Sequence, residues 1–133
     1  TNKNKKIRLG SLKPTRDFSF IEDTVQGFVS SLKSKKNLGE ITNVGSGYEI
    51  SMKDLAIMIS KLMNKDISIS LDKQRLRPKL SEVERLVCQN KKAKTVLNWK
   101  PKYSASKGLE AGLKKTIDWY INPENLKKQR IQH

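Results

Sequence analysis

The sequence predicts a small α/β domain. Short segments rich in β-forming residues alternate with amphipathic helical segments along the chain, an order typical of this class. The chain has 133 residues, of which 35% are hydrophobic and 31% are charged. This length and composition allow one modest core and argue against disorder over the whole chain. The strands are few and short, so the predicted sheet is small for a self-sufficient doubly wound domain.

The first helix and the segment before it are predicted from local patterns. Residues 1–14 predict a short extended segment and a turn that ends at Pro14. A helix is expected to open near Glu22 or Asp23, because acidic side chains are favoured in a first turn. Apolar residues then recur at the i, i+3, i+4 and i+7 spacing of one helix face, namely Val25, Phe28, Val29 and Leu32.

The middle of the chain predicts two strands around a capped helix. A short strand over residues 41–44 leads into the turn Gly45-Ser46-Gly47. Ser51 is expected to cap the following helix, with Asp54 answering it in a capping box. Residues 67–71 alternate apolar and polar side chains, which is the pattern of a half-buried strand.

The last part of the chain predicts three helices, of which the final one is long. A basic loop over residues 73–80 precedes a short helix from about Ser81, and a second short helix is predicted around residues 93–97. The long helix is expected to begin near Ser104. Its inward residues are predicted to be Leu109, Leu113, Ile117 and Tyr120. We therefore divide the chain into a domain over residues 1–121 and a basic polar tail over residues 122–133.

Composition excludes several classes of protein. The chain has one cysteine, Cys88, and one histidine, His133, so a disulfide framework, a cysteine-based zinc site and a histidine-centred active site are disfavoured. No apolar run approaches the roughly 18 to 20 residues of a membrane span, and the basic N-terminus lacks the apolar stretch of a signal peptide. We expect a cytoplasmic protein with no membrane partner and no metal site.

The formal net charge of +15 invites a nucleic-acid interpretation. Most of the basic residues are lysines, however, and they are scattered over the predicted helix exteriors and both termini rather than gathered in one stripe. A lysine-rich composition, or a piece of a longer and more acidic chain, gives the same total. The charge predicts some affinity for polyanions. A basic module that binds nucleic acid is therefore kept as an alternative that the distribution of charge does not favour.

Two short patterns resemble cofactor or catalytic motifs. The turn Gly45-Ser46-Gly47 lacks the third glycine of a dinucleotide-binding fingerprint, because Ile50 occupies that position. Tyr103 and Lys107 have the Tyr-x-x-x-Lys spacing of a catalytic acid/base pair, but they follow a Trp-Lys-Pro sequence at the edge of the final helix. We interpret the turn as structural and the Tyr/Lys spacing as a coincidence.

Arginines at two places have the chemistry needed to bind a diphosphate. Arg16 is followed by Asp17, which could hold it in place, and Arg77 lies in the run Arg75-Leu76-Arg77-Pro78. A planar guanidinium offers paired donors to phosphate oxygens, and proline stiffens the loop that presents it. Ordinary surface ion pairing explains the same residues equally well. Glu82 could likewise be a surface charge near the start of a helix.

An ordered series of motifs resembles the NAD-dependent epimerase/dehydratase family, the extended short-chain dehydrogenase/reductases that act on nucleoside-diphosphate sugars. The series covers about Lys6 to Tyr120. Its segments are Leu9-Gly10-Ser11-Leu12-Lys13-Pro14-Thr15-Arg16-Asp17-Phe18, Ile21-Glu22-Asp23-Thr24, Asn43-Val44-Gly45-Ser46-Gly47, Glu49-Ile50-Ser51, Arg75-Leu76-Arg77-Pro78, Ser81-Glu82-Val83-Glu84-Arg85-Leu86, Lys92-Ala93-Lys94, Leu97-Asn98-Trp99-Lys100-Pro101, Gly108-Leu109 and Ile117-Asp118-Trp119.

Within that family the chain is most similar to the C-terminal substrate-binding part of 4,6-dehydratases of the UDP-N-acetylglucosamine or GDP-mannose type. The resemblance implies an enzyme that uses NAD or NADP to convert a nucleoside-diphosphate hexose into a 4-keto-6-deoxy sugar. A nucleotide-sugar 4-epimerase or decarboxylase of the same family is the alternative, because this part specifies substrate more than reaction.

The resemblance also implies roles for three residues and the absence of others. Arg16 would contact the diphosphate, Arg77 the diphosphate or ribose, and Glu82 the ribose hydroxyls. The family's glycine-rich cofactor turn and its catalytic Ser/Thr…Tyr-x-x-x-Lys set lie upstream of the part that this chain resembles. We therefore expect no catalytic, cofactor-binding or metal-binding residues here, a missing N-terminal Rossmann domain as partner, and no activity from the chain alone. The helix near residues 23–33 would pack on that domain, and its exposure predicts self-association.

Overall fold

The computed structural model describes residues 5–78 and 81–130 and has α/β architecture. Its elements in order are β1 Lys5–Leu9, β2 Thr15–Asp17, α1 Ile21–Lys33, a 3₁₀ turn Lys35–Asn37, β3 Glu49–Ser51, α2 Met52–Leu62, β4 Ile67–Leu71, a 3₁₀ turn Lys73–Arg75, β5 Arg85–Leu86, α3 Lys91–Val96, α4 Ala105–Ile121 and α5 Pro123–Arg130. None of the helices in these two ranges has the length and apolarity that crossing a bilayer requires.

The strands form two small sheets. β1 and β4 pair in parallel, with Ile7 opposite Ile69. In the second sheet β2 lies in the middle, antiparallel to β3 and parallel to β5. Arg16, at the centre of β2, is therefore flanked by Ile50 on one side and Leu86 on the other.

The core consists of two clusters. The first joins the β3–α2 region to α4 through Ile50, Leu55 and Leu109, and partly buried apolar residues of α2 and α4 pack around it. The second is formed by Ala93, Leu97 and Trp99. Tyr120, predicted to point inward, is half exposed and makes an edge-to-face contact with Trp119 near the end of α4.

Helix α1 is packed on the domain by its polar and small residues. The Asp23 carboxylate is buried and accepts hydrogen bonds from the backbone N–H groups of Lys102 and Tyr103, both at 2.8 Å. Gly27 lies so close to Val44 that a Cβ there would approach the valine Cγ1 to 2.6 Å. An amphipathic helix on the surface of a globular domain normally buries its apolar stripe against the core. Here Phe28 is 70% exposed and Leu32 is 89% exposed, so α1 leaves its apolar stripe on the surface.

The Asp17 carboxylate joins the ends of the central sheet. It accepts hydrogen bonds from the N–H groups of Ser46 and Gly47, at 3.0 and 2.8 Å, and also from the Ser46 hydroxyl. The Cys88 N–H donates to the same carboxylate at 3.0 Å. One side chain on β2 thus holds both the turn before β3 and the segment after β5. Burial and this neighbouring carboxylate raise the pKa of the Cys88 thiol.

Several predicted elements are confirmed. The helices α1, α2, α3 and α4 and the strand β4 all form where local periodicity predicts them. The Ser51 hydroxyl caps α2 by accepting from the Asp54 N–H at 3.0 Å. The return bond differs from a capping box, because the Asp54 carboxylate accepts from the Ser51 hydroxyl rather than from its backbone N–H.

Two predicted elements are wrong. Residues 41–44 form no strand, because no partner strand pairs with them among residues 5–78 and 81–130, and Ile41 is 88% exposed. The helix expected from Ser81 does not form: residues 82–84 have no regular secondary structure and lead into β5. There the Glu84 carbonyl accepts from the Thr15 N–H and the Val83 carbonyl accepts from Arg16, so pairing with β2 takes the acceptors that a helix would need.

The region beyond residue 121 contains a further helix. Pro123–Arg130 of the basic polar tail forms the helix α5, and the division of the chain at residue 121 stays a prediction. Asn122 connects α5 to α4, and the Asn122 side chain accepts from the N–H of Glu124 at 2.9 Å. Proline at the first helical position suits this start, since its missing N–H has no partner there in any helix. Residues 131–133 lie outside the described part.

We predict that Asp17→Ala lowers the free energy of unfolding by about 3 kcal/mol, because three backbone N–H groups and one hydroxyl lose their acceptor. Urea unfolding followed by circular dichroism measures the loss. The matched control is Asp118→Ala, an exposed carboxylate on α4, which should change stability by no more than about 0.5 kcal/mol. Equal effects of the two substitutions would contradict a structural role for Asp17.

Candidate functional site

Arg16 is held in a fixed orientation by the segment that precedes β5. Its Nη1 donates to the carbonyl oxygens of Thr15 and Val83, at 2.8 and 2.7 Å. Its Nη2 contacts the Glu82 carboxylate at 3.2 Å, and both side chains are mostly shielded from solvent. These contacts use three of the five N–H donors of the guanidinium. The other two donors form no hydrogen bond with the described residues, and the Arg16 side chain is 24% exposed.

The structure brings together two of the three predicted site residues. Arg16 and Glu82 are 66 positions apart in the sequence and form an ion pair. The expectation that Asp17 holds Arg16 is wrong, because the Asp17 carboxylate is occupied by the backbone of Ser46, Gly47 and Cys88. The residue beside Arg16 instead comes from the motif that carries Glu82.

Arg77 lies elsewhere in a surface loop. It is exposed and stands two positions before residues 79–80, which are not described. Across residues 5–78 and 81–130, no hydrogen bond or ion pair joins Arg77 to Arg16 or Glu82. Its role in a common site therefore stays a prediction.

A cleft of about 610 Å³ is lined by Glu82 of the Arg16–Glu82 pair, whereas Arg16 is not among the lining residues. This volume is typical of sites that take a small molecule. The lining is polar and carries charges of both signs; it consists of Ser11, Lys13, Pro14, Thr15, Glu49, Glu82, Glu84 and Arg85. A ligand seated there would meet hydroxyl, carboxylate and cationic groups together.

One wall of this cleft is a network that the sequence analysis did not identify. The Glu49 carboxylate accepts from the Thr15 hydroxyl at 2.6 Å and from Arg85 Nε at 2.7 Å. Hydrogen bonds from Arg85 and, to a smaller extent, from Thr15 lower the pKa of Glu49. The hydrogen bond between Arg85 and Glu49 also raises the pKa of Arg85. Glu49, Thr15 and Arg85 lie on three different strands. No local sequence pattern predicts that these three side chains are in contact. The contact could be predicted only from the pairing of β2 with β3 and β5.

The Tyr103–Lys107 spacing has no catalytic arrangement. Tyr103 is buried, and its hydroxyl donates to Glu22 at 2.8 Å and accepts from Lys115 Nζ at 2.6 Å. In the described part of the chain, no hydrogen bond joins Tyr103 to Lys107. The Tyr103 hydroxyl instead links α1, through Glu22, to α4, through Lys115. Hydrogen bonds from Lys115 and then Tyr103 lower the pKa of Glu22, as expected for an interhelical ion pair.

The turn Gly45-Ser46-Gly47 does not fit the pyrophosphate of a dinucleotide. The N–H groups of Ser46 and Gly47 that would have to face a phosphate donate to Asp17 instead. The next helix begins only at Met52, after β3, so its N-terminus is not at the turn. The structural interpretation of this turn agrees with the geometry.

Comparison with known proteins identifies the family. A family model described as GDP-mannose 4,6 dehydratase matches residues 1–111. The chain belongs to the NAD-dependent epimerase/dehydratase family. Curated relatives at this level include dehydratases, epimerases and decarboxylases of nucleotide sugars.

Two curated relatives and one solved structure illustrate the similarity. A UDP-glucuronate 4-epimerase from Thermodesulfobacterium geofontis is 34% identical over 106 residues, which cover 78% of this chain and 29% of the relative. The dTDP-D-glucose 4,6-dehydratase of Homo sapiens is 34% identical over 116 residues, covering 84% of this chain and 31% of the relative. A UDP-glucuronic acid 4-epimerase from Bacillus cereus, solved in complex with NAD, superposes with a TM-score of 0.63 at 31% identity, over 86% of this chain and 34% of that one.

The chain spans about a third of the length of the curated relatives it matches. Solved family members are matched over a similar share of their length, which fits the expected substrate-binding part of an extended enzyme. The small sheets and the outward apolar face of α1 are consistent with a chain that matches only part of a longer family member.

Proposed function

We propose that this chain is the C-terminal substrate-binding part of an NAD(P)-dependent nucleotide-sugar 4,6-dehydratase. The observation that carries the proposal is the Arg16–Glu82 ion pair beside the polar cleft, because it joins two family motifs from distant parts of the sequence. The match to the GDP-mannose 4,6 dehydratase model and the similarity to the human dehydratase support this reaction.

The ion pair favours a ligand that carries both phosphate oxygens and hydroxyl groups. The free N–H donors of Arg16 suit an oxygen of a diphosphate, which a guanidinium can bind through two parallel bonds. Only Oε1 of Glu82 contacts Arg16, so the other carboxylate oxygen can accept from ribose hydroxyls. Because Glu82 balances the charge of Arg16, a simple phosphate ion gains less here than a nucleoside diphosphate, which satisfies both partners. Arg77 would add a positive charge from its loop.

We assign the cofactor and the acid/base chemistry to polypeptide outside residues 1–133. The turn at Gly45 does not fit a dinucleotide, so NAD or NADP would be held by the Rossmann domain of the longer enzyme. This chain would orient the nucleotide end of the substrate and would be inactive alone. A cytoplasmic location stays a prediction from the single cysteine.

In the intact enzyme, we expect Arg16→Ala and Arg77→Ala each to lower kcat/KM for the nucleotide sugar by at least about tenfold, since each removes charge-assisted bonds to the substrate. Arg8→Ala is the matched control, because it removes the same charge from the exposed strand β1 and should leave kcat/KM within about twofold. Steady-state kinetics with UDP-N-acetylglucosamine and GDP-mannose provide the measurement. Unchanged kinetics for the Arg16 variant would remove the site assignment.

The same assays separate the alternative reactions. A 4-keto-6-deoxy sugar identified by mass spectrometry and NMR supports the dehydratase. A C4 epimer would instead support the epimerase hypothesis, and a decarboxylated sugar would support the decarboxylase hypothesis. The epimerase hypothesis is favoured by the 34% identity to a UDP-glucuronate 4-epimerase.

We also propose that the outward face of α1 packs on the Rossmann domain of the longer enzyme. The apolar residues that this helix leaves exposed are Ile21, Val25, Phe28 and Leu32, and Leu38 and Ile41 follow close behind in the sequence. A contiguous exposed apolar surface is typical of a protein interface. In the isolated chain the same surface would drive self-association into a homo-oligomer.

Replacing Phe28 and Leu32 together by Ser should make the isolated chain monomeric in sedimentation velocity, because the two most exposed large apolar side chains of α1 become polar. Their exposure means that the fold should be retained, which circular dichroism can verify. Ile121→Ser serves as control, since Ile121 is 59% exposed at the far end of α4. A wild-type chain that is already monomeric, or an equal effect of Ile121→Ser, would refute the interface.

A further inference from the structure

A second apolar surface is a groove of about 830 Å³ between strand β1 and the C-terminal half of α2. Its apolar lining is formed by Ile7, Leu9, Ala56, Ile59, Met63 and Ile67. It shares no lining residue with the cleft at Glu82, and no residue of α1 lines it. The nucleotide-sugar site therefore does not account for it.

The sheet beside the groove is incomplete as a structural unit. β1 and β4 form a parallel pair with no third strand among residues 5–78 and 81–130. Parallel strands are found almost only where helices cover both faces of the sheet, and a two-stranded sheet is marginal alone. The first four residues of β1 are nonetheless exposed, including the apolar Ile7. Within the described part of the chain, no element covers the exposed side of β1.

The charges around the groove restrict what can cover it. Lys5, Lys6 and Lys65 lie on its rim, and Asp66 is the one acidic residue in the lining. An element with an apolar face and acidic flanks would bury the apolar walls and pair with the lysines. A second copy of this chain does not account for the groove, because the self-association proposed above buries the outward face of α1.

We propose that this groove is the binding site of an amphipathic helix with an acidic polar side. That helix is supplied by the part of the polypeptide outside residues 1–133. This inference rests on the proposed function, in which the chain is one part of a longer enzyme. The matched relatives are about three times as long as the region they share with this chain, so ample polypeptide exists to supply the helix. The helix would complete the β1–β4 layer as crossover helices complete other parallel sheets.

The test uses a synthetic helix of about 15 residues. One version carries leucines on one face and glutamates elsewhere, and a second version has lysine at every glutamate position. We expect isothermal titration calorimetry to show one-to-one binding of the glutamate peptide to the 133-residue chain. The lysine peptide should bind at least about tenfold more weakly, because it repels the lysine rim.

Matched variants locate the binding. Met63 is 42% exposed and lines the groove, whereas Leu71 is 52% exposed on β4 and lies outside it. Met63→Glu should weaken binding of the glutamate peptide by at least about tenfold, and Leu71→Glu should leave it within about twofold, although both change the net charge equally. Circular dichroism of both variants verifies that the fold is kept.

The source of the helix is tested with the intact enzyme. Its own helix should fill the groove, so the glutamate peptide should no longer bind. Binding to the intact enzyme as strong as to the chain alone overturns the proposal. The proposal is also overturned if the peptide does not bind the chain, or if Met63→Glu leaves its binding unchanged. Decanoate serves as a small apolar probe. If decanoate binds one-to-one in place of the peptide, the groove is a small-molecule pocket and the proposal is likewise overturned. Since the groove shares no residue with the cleft at Glu82 and does not include Arg16, normal turnover with a negative peptide result removes this inference and leaves the proposed function standing.

Discussion

The carboxylate of Asp17 determines where the ends of the central sheet lie. By accepting bonds from the turn at residues 46–47 and from Cys88, it holds β3 and β5 on either side of β2. A partly shielded carboxylate is stable only when its oxygens are satisfied, so the three segments are placed together or not at all. Arg16, the neighbour of Asp17 on β2, is thereby brought against the segment that carries Glu82. The candidate site thus depends on a residue that need not touch a ligand.

The sequence predicted the elements well where a local pattern decides the structure. The apolar spacing of α1, the serine cap of α2 and the alternation of β4 all depend on residues within one or two turns of each other. The family was also predictable, because its motifs keep their order along the chain. Contacts between distant segments were not predictable in this way. The helix expected at Ser81 failed because pairing with β2, a partner 66 positions away, outweighs the local preference of its acidic residues.

The orientation of α1 shows what an amphipathic pattern leaves open. The stripe from Val25 to Leu32 predicts the helix, yet the face buried in this chain is the one with Asp23 and Gly27. A buried carboxylate with two backbone donors, and a glycine that allows contact with Val44, fix that face. The apolar stripe is thereby left for another partner. Exposed apolar surface on both α1 and the β1–α2 groove is consistent with a chain that spans about a third of its relatives.

The proposed function depends on binding of the nucleotide end of a sugar nucleotide by the Arg16–Glu82 pair. A titration of the ¹⁵N-labelled chain with UDP-N-acetylglucosamine and GDP-mannose, followed by NMR at about 0.15 M salt, measures this binding. Binding at the pair should give saturable shifts of the Arg16, Glu82 and Val83 amides with at least one of the two ligands, and these shifts should persist when the salt is raised. Shifts that spread over the lysine-rich helix surfaces and disappear with added salt would instead indicate a general polyanion-binding protein and would exclude a specific nucleotide-sugar site.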